Sequence, residues 1–267
     1  MQPAVSYVRK REKKRRGDNV KYTVESDIGR KRSINEDRAA FVTREDGLQM
    51  ALVADGMGGH NAGDVASQMA AEEARDLFIQ AKSKNFITSD KKKEWLLDTV
   101  KKLNKTLYRY ASNNPDCSGM GTTLILVLID DLHCLIAHVG DSRVYHFYDN
   151  KVKQITKDHS YVNVLVERGE ISVEEAKHHP KKNVILKALG TDSRVEPDIY
   201  EITLTTQSYV LVCSDGLSNK VTMQAMGAVI FDAITLEAKG KQLVQLANES
   251  GGEDNISLVL LMKEGEG

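Results

Sequence analysis

The chain carries the sequence LVADGMGG at residues 52–59, where an apolar run ends in Asp55 and is followed by glycines. Apolar runs of this kind predict strands, and the glycines predict a tight loop. The same pattern recurs in AHVGDS at residues 137–142, which contains Asp141, and in LVCSDG at residues 211–216, which contains Asp215. Three predicted strands therefore end in an aspartate beside small residues.

Further acids stand just before strands. Asp254 precedes the apolar run 256–262, and Glu36 and Asp37 precede the run 38–43. Antiparallel pairing would gather all these acids at one edge, where their charges repel and raise one another's pKa values unless cations neutralise them. Hard divalent ions take oxygen ligands of this kind. The pattern predicts a two-metal site, although a single Asp-Gly dipeptide is by itself an ordinary turn signal.

The glycines after Asp55 and Asp215 are predicted to serve the metal site. Without a side chain, it lets the backbone carbonyl turn towards a cation and tolerates an unusual φ. Residues 55–59 are therefore interpreted as a carboxylate and a carbonyl, that of Gly56, presented to metal on a tight loop.

The secondary-structure pattern favours an α+β domain. Paired helices are predicted around 66–77 and 96–110, with Ser89 and Asp90 offering an N-cap, and again at 221–233 and 236–249. Hairpin turns are predicted at residues 130–131 and 149–150, which makes the neighbouring strands antiparallel. Strands are predicted at 21–25, 38–43, 49–54, 122–129, 133–139, 143–148, 151–156, 199–204, 209–213 and 256–262. Helices that come in pairs between groups of strands are typical of layered α+β folds.

Composition excludes several classes of protein. The 267 residues have a formal net charge of -1, with 41% hydrophobic and 28% charged residues, so a fully disordered chain, a collagen and a coiled coil are excluded. The charge balance gives no global attraction to nucleic acid or to an anionic membrane. No apolar run approaches the roughly 20 residues needed to cross a bilayer, and no secretory signal is recognisable. Three cysteines without a CxxC pair favour a reducing compartment, so we expect a cytoplasmic protein without membrane insertion.

The chain is predicted to have two parts. Residues 9–16 are almost entirely basic, so 1–20 is predicted to be a flexible tail and 21–267 a single domain. Within that domain, 160–190 changes character: a short helix ends near Gly169, and Ser172 with Glu175 forms a capping box for a second. The end of this segment, 178–182, is basic, and one interpretation of it is a solvated loop.

An ordered set of short motifs resembles the metal-dependent protein serine/threonine phosphatases of type 2C, in their bacterial style. The motifs are GRKRSINED at 29–37, DGMGGH at 55–60, GTT at 121–123, VGDSR at 139–143, DHS at 158–160, SDGL at 214–217 and DNIS at 254–257. The resemblance spans about residues 21–263. It implies a four-layer α-β-β-α sandwich, two antiparallel sheets flanked by helices, with metals in a cleft at one end. It also implies a flap beside that cleft at 160–190, whose basic end would meet a phosphopeptide substrate.

The resemblance also implies roles for the acids. Asp55 would be shared by two Mn²⁺ or Mg²⁺ ions, with the Gly56 carbonyl on one ion. Asp215 and Asp254 would bind the other ion. The remaining assignments are Glu36 and Asp37, which would act largely through metal-bound waters, and Asp141, which would help hold a third ion. A water between two such ions has a lowered pKa and attacks phosphorus directly.

Arg32 is the candidate phosphate clamp, because a guanidinium binds two phosphate oxygens at once. The alternative interpretation is that Arg32 is an ordinary surface arginine. The general acid stays unassigned: eukaryotic members of the family place a histidine where this chain has Met57, and His60 is a nearby candidate. For His159 a loop-fixing hydrogen bond is expected rather than catalysis. A cysteine phosphatase is excluded, because no cysteine has the CxxxxxR setting that such an enzyme needs.

The predicted function is hydrolysis of phosphoserine and phosphothreonine in proteins, opposing a serine/threonine kinase. Two other classes are kept open. A catalytically silent phosphoprotein-binding regulatory module would be expected to lack a metal aspartate. A two-metal nuclease would be expected to carry a basic nucleic-acid track outside the tail.

Overall fold

The computed structural model describes residues 20–59 and 62–264. Its strands are β1 (Val20–Asp27), β2 (Asp37–Thr43), β3 (Gln49–Met57), β4 (Gly121–Thr122), β5 (Leu124–Asp130), β6 (His133–Val139), β7 (Arg143–Tyr148), β8 (Lys151–Gln154), β9 (Asp198–Thr203), β10 (Tyr209–Cys213) and β11 (Ile256–Lys263). Its α-helices are α1 (Ala62–Gln80), α2 (Ser89–Asn113), α3 (Tyr161–Glu167), α4 (Val173–His178), α5 (Asp215–Ser218), α6 (Met223–Ile230) and α7 (Leu236–Glu249). The predicted tail, residues 1–19, lies outside the described residues.

The strands form two antiparallel sheets. One has the order β1-β11-β10-β7-β8, and the other the order β2-β3-β5-β6-β9 with β4 paired to β3. Apolar side chains from the facing sides of the two sheets, such as Val53, Val127, Val212 and Val259, pack together as the central layer of the core. The predicted sandwich of two antiparallel sheets is confirmed.

Helices cover the outer face of each sheet. The alanines of α1, Ala66, Ala70 and Ala74, recur every fourth residue and pack with Leu103 of α2 against the second sheet. Helices α6 and α7 pack in the same way on the first sheet, for example through Leu243. Each helical face buries apolar surface against a sheet, which gives the four predicted layers.

Two predicted turn and cap signals are confirmed, and one predicted helix N-cap is shifted. The turn at 149–150 is a two-residue hairpin loop with positive φ at both positions, and Ser172 with Glu175 forms the predicted capping box. The N-cap of α2 is Thr88, whose side chain accepts from the Lys91 N–H, so the predicted Ser89 and Asp90 are already inside the helix. No helix of the described residues is long and apolar enough to span a membrane.

Strand ends near the predicted acids differ from expectation. Asp55 lies inside β3, because β3 continues to Met57 by pairing with β4. Asp37 is the first residue of β2, and Asp215 is the first residue of the short helix α5. The acids nevertheless lie where the two sheets meet at one end of the sandwich.

Candidate metal centre

Sheet register places Asp37 opposite Asp55. The two residues are directly paired in the β2–β3 ladder, and such pairs project their side chains to the same face. Ser214, which follows β10 in the other sheet, donates from Oγ to Asp37 Oδ2 at 2.7 Å. This bond links the two sheets, and Asp37 is only 2% exposed.

Asp215 and Asp254 are brought together by a close approach of backbones. Asp215 follows β10 and Asp254 precedes its neighbour β11. A Cβ on Gly216 would lie 2.0 Å from the Asn255 carbonyl oxygen, so only glycine permits this packing. Gly216 and Gly56 do not have positive φ, so the part of the prediction that gave these glycines an unusual φ is wrong. The physical reason is close backbone contact.

The cluster is electrostatically strained. Burial raises the pKa of Asp55 well above its usual value, and the charges of Asp37 and Asp215 raise it further. Burial likewise raises the pKa values of Asp215 and Asp141, with added repulsion from Asp254 on the former and from Asp215 on the latter. The sequence predicted mutually repelling acids at one edge of the sheets. In the structure they are buried carboxylates, and each raises the energy of its neighbours' charged form.

The donor set fits a hard divalent cation. Buried polar atoms normally have partners, yet Asp141 Oδ1 is buried without a hydrogen-bond partner among residues 20–59 and 62–264. Carboxylate oxygens that repel one another are the ligands that Mg²⁺ and Mn²⁺ prefer. Within the described part of the chain, no three His, Cys, Asp or Glu side chains already stand at the spacing that one ion requires. Which of these acids act as ligands therefore stays a prediction.

Glu36 and Gly56 lie against the start of α1. The Gly56 N–H donates to the Glu36 carbonyl oxygen at 3.1 Å. A Cβ on Gly56 would lie 2.1 Å from the carbonyl oxygen of Gly63, in the first turn of α1. Burial raises the pKa of the Glu36 carboxyl, and a hydrogen bond from the Asp64 backbone N–H opposes that shift.

Arg32 lies at the rim of the carboxylate cluster. Its Nη2 donates to Asp254 Oδ2 at 2.9 Å, and its Nη1 is 4.0 Å from Glu36 Oε2. The side chain is 45% exposed, so one guanidinium reaches both the cluster and solvent. The guanidinium therefore stands beside the acids of the predicted metal site, and its role as a phosphate clamp stays a prediction.

The predicted loop-fixing bond of His159 is confirmed. Its Nδ1 accepts from the Gly140 N–H at 3.1 Å, and its Nε2 lies 3.2 Å from Asp198 Oδ2. His159 thus fixes the turn that carries Asp141. The other histidine candidate, His60, lies outside the described residues, and the general acid stays unassigned.

Some positioning residues were missed by the sequence analysis. Asn255 uses its whole side-chain amide: Nδ2 donates to the carbonyls of Ile28 and Ile34, and Oδ1 accepts from the Glu36 N–H. Thr123 Oγ1 accepts from the Asp55 N–H at 3.0 Å. Both residues belong to the quoted motifs, DNIS and GTT, so the motif was the available signal. Their partners are distant in sequence and could not be read from it.

Comparison with known proteins gives consistent matches. The family model described as Protein phosphatase 2C matches residues 29–255. The chain is 39% identical over 239 residues to the serine/threonine phosphatase stp of Listeria monocytogenes, covering 90% of this chain and 94% of that protein.

Solved structures agree with that match. The serine/threonine phosphatase Stp1 from Staphylococcus aureus superposes with a TM-score of 0.89 at 36% identity, covering 96% of this chain and all of that one. The catalytic domain of the serine/threonine protein phosphatase PstP, in complex with two manganese ions, superposes with a TM-score of 0.79 at 31% identity and covers 92% and 99% of the two chains.

Proposed function

The chain belongs to the protein phosphatase 2C family and is a protein serine/threonine phosphatase, and we propose that it works with two Mn²⁺ or Mg²⁺ ions bound by the carboxylate cluster. The observation that carries this proposal is the set of buried, mutually repelling carboxylates at the meeting point of the two sheets. The PstP structure with two manganese ions supports divalent metal use in the family.

The proposed ligands are the acids of the cluster, in the roles that the family resemblance implies. Asp55 would serve both ions, and the Gly56 carbonyl would serve one of them. Asp215 and Asp254 would hold the other, and Asp37 and Glu36 would act largely through water. When bound, the ions would supply a hydroxide nucleophile at neutral pH, because divalent metals lower the pKa of bound water.

The chain's own residues bind and orient the substrate in this proposal. Arg32 holds two oxygens of the phosphoryl group at the rim of the site. Because Met57 cannot donate a proton, the leaving oxygen takes its proton from a group other than this side chain. Phosphoserine and phosphothreonine arise by phosphoryl transfer to a hydroxyl, so a serine/threonine kinase is the functional opponent. We also propose a reducing compartment such as the cytoplasm, because this chain has three free cysteines, two of them buried.

The experiment is phosphate release by the full chain from phosphoserine and phosphothreonine peptides, with metal content measured on the same sample. We expect turnover only with Mn²⁺ or Mg²⁺, about two ions in the core site, and no hydrolysis of nucleic acid. Full activity in excess chelator would contradict the proposal. Metal binding without turnover would instead support the silent regulatory module.

Arg32→Ala is expected to raise KM for phosphopeptide and to lower kcat/KM by about 10-fold or more, because a charge-assisted contact contributes roughly 1.5 to 3 kcal/mol. Steady-state kinetics check this. The matched control is Arg30→Ala, which removes an exposed guanidinium from the same loop. An unchanged KM for Arg32→Ala would reject the clamp.

Asp141 is proposed to help hold a third ion together with Asp215. Its orphaned Oδ1 supports this role, whereas the neighbouring Gly140 and Ser142 are also compatible with an Asx-type turn. Asp141→Asn separates the two: it keeps the turn's acceptor oxygen but removes the charge. We expect a lowered kcat with both core ions still bound. The turn interpretation predicts a different result. Asp141→Asn would keep a normal kcat at saturating Mn²⁺, and only Asp141→Ala, which removes the acceptor oxygen, would lower the melting temperature.

A further inference from the structure

Two arginines connect β2 to the two ends of α1. Arg44 follows β2 and donates to carbonyls at the C-terminal end of α1, including those of Phe78 and Ala81. Arg38, near the start of β2, pairs through Nη2 with Asp64 in the first turn of α1. The two contacts are alike in connecting the same strand and helix, but only Arg38 lies beside the carboxylate cluster.

Arg38 also holds the segment that carries the acids. Its Nη1 donates to the Asn35 carbonyl at 3.0 Å and to the Asp37 carbonyl at 2.8 Å. The guanidinium therefore braces the backbone on both sides of Glu36 and reaches Asp64 at the same time. Its side chain is 22% exposed, so the pair with Asp64 is partly shielded from water.

The first turn of α1 is in direct contact with two proposed metal-site groups. The Asp64 backbone N–H lies close enough to the Glu36 carboxylate to stabilise its charge and lower its pKa. A Cβ on Gly63 would lie 2.6 Å from Glu36 Oε1 and 2.8 Å from the Gly56 carbonyl oxygen. With glycine on both sides of the contact, there is no spare space. A shift of the first turn towards these groups would therefore push on Glu36, Gly56 or both, and a shift away would remove the contact that holds them.

We infer that Arg38 is a positioning residue of the metal centre, which acts through Asp64 by fixing the first turn of α1 against Glu36 and Gly56. The inference rests on the proposed function, in which these two groups lie at the ions. Asp64 is suited to the task, since its side chain is held by Arg38 and the preceding residue, Gly63, packs against Glu36 and Gly56. Groups that orient metal ligands from behind commonly change metal affinity by 10- to 100-fold when they are removed.

The test is Mn²⁺ binding to the full chain, measured by calorimetry, for wild type, Arg38→Gln and Asp64→Asn. We expect each variant to bind Mn²⁺ about 10-fold more weakly than wild type. The double variant should bind no more weakly than the weaker single variant, because both changes break the same contact. Arg38→Lys should recover part of the affinity, since its ammonium can still meet Asp64.

Arg44→Gln is the matched control. It loosens the other end of the same helix, so it should lower the melting temperature of the metal-free protein while leaving the Mn²⁺ affinity at the wild-type value. Equal weakening by Arg44→Gln and Arg38→Gln would overturn the inference, since general loosening of α1 would then explain both.

The outcomes separate this inference from the proposed function. If the wild type binds no Mn²⁺, the proposed function fails. If the wild type binds Mn²⁺ and both Arg38→Gln and Asp64→Asn bind it equally well, only the positioning role fails. If Arg38→Gln does not fold, Asp64→Asn and Arg38→Lys decide the question. Asp64→Asn leaves the other Arg38 contacts in place, and Arg38→Lys keeps the positive charge.

Discussion

Asparagine in place of Asp55 or Asp215 is expected to remove nearly all phosphatase activity, a loss of at least about 1,000-fold in kcat/KM. Each change removes a charged oxygen from the proposed metal site, and the ions provide several kcal/mol of charge stabilisation in the transition state. Phosphopeptide kinetics at saturating Mn²⁺, with the bound metal measured in parallel, check this. A variant with wild-type turnover would show that the metals lie elsewhere.

Stability should change in the opposite direction. Burial and the neighbouring carboxylates raise the pKa of Asp55, so its charged form costs folding free energy at neutral pH. Asn is nearly the same size and removes that cost. In excess chelator, Asp55→Asn should therefore melt at a higher temperature than wild type. A lower melting temperature would mean that the lost activity reflects misfolding rather than lost metal binding.

The fold and the acids were predictable from the sequence because both depend on local patterns. Alternating and apolar runs define the strands, and Asp55, Asp141 and Asp215 each stand at the end of such a run. Antiparallel pairing then leaves few ways to arrange the acids. Their burial and mutual repulsion follow from that arrangement.

What sequence could not provide are contacts between distant segments. Arg38 and Asp64 are 26 residues apart, and Asn255 binds carbonyls more than 200 residues earlier. No local pattern distinguishes Arg38 from any other strand arginine. The close packing at Gly56 was missed for the same reason. Gly63 leaves no room for a Cβ on Gly56, and the position of Gly63 depends on where α1 packs.

Gly56→Ala is therefore expected to disable the site through backbone displacement alone. The added Cβ would lie 2.1 Å from the Gly63 carbonyl oxygen and 2.7 Å from the Glu36 carbonyl oxygen, so the backbone must shift. A displacement of about 1 Å at a reacting centre can cost about 100-fold in rate. We expect a loss of that size in kcat/KM together with weaker Mn²⁺ binding, both measured on the full chain.

Gly59→Ala is the matched control, since it adds the same methyl group three residues later, just after β3, where no heavy atom of the described residues lies within 4 Å. It should keep its Mn²⁺ affinity and most of its turnover. If Gly59→Ala fails as badly as Gly56→Ala, then loss of loop flexibility, and not the contact with Gly63, limits the site. If Gly56→Ala instead binds Mn²⁺ and turns over like the wild type, the first turn of α1 can retreat without moving the metal centre. In that case the close packing of Gly56, Gly63 and Glu36 is not what sets the geometry of the metal centre.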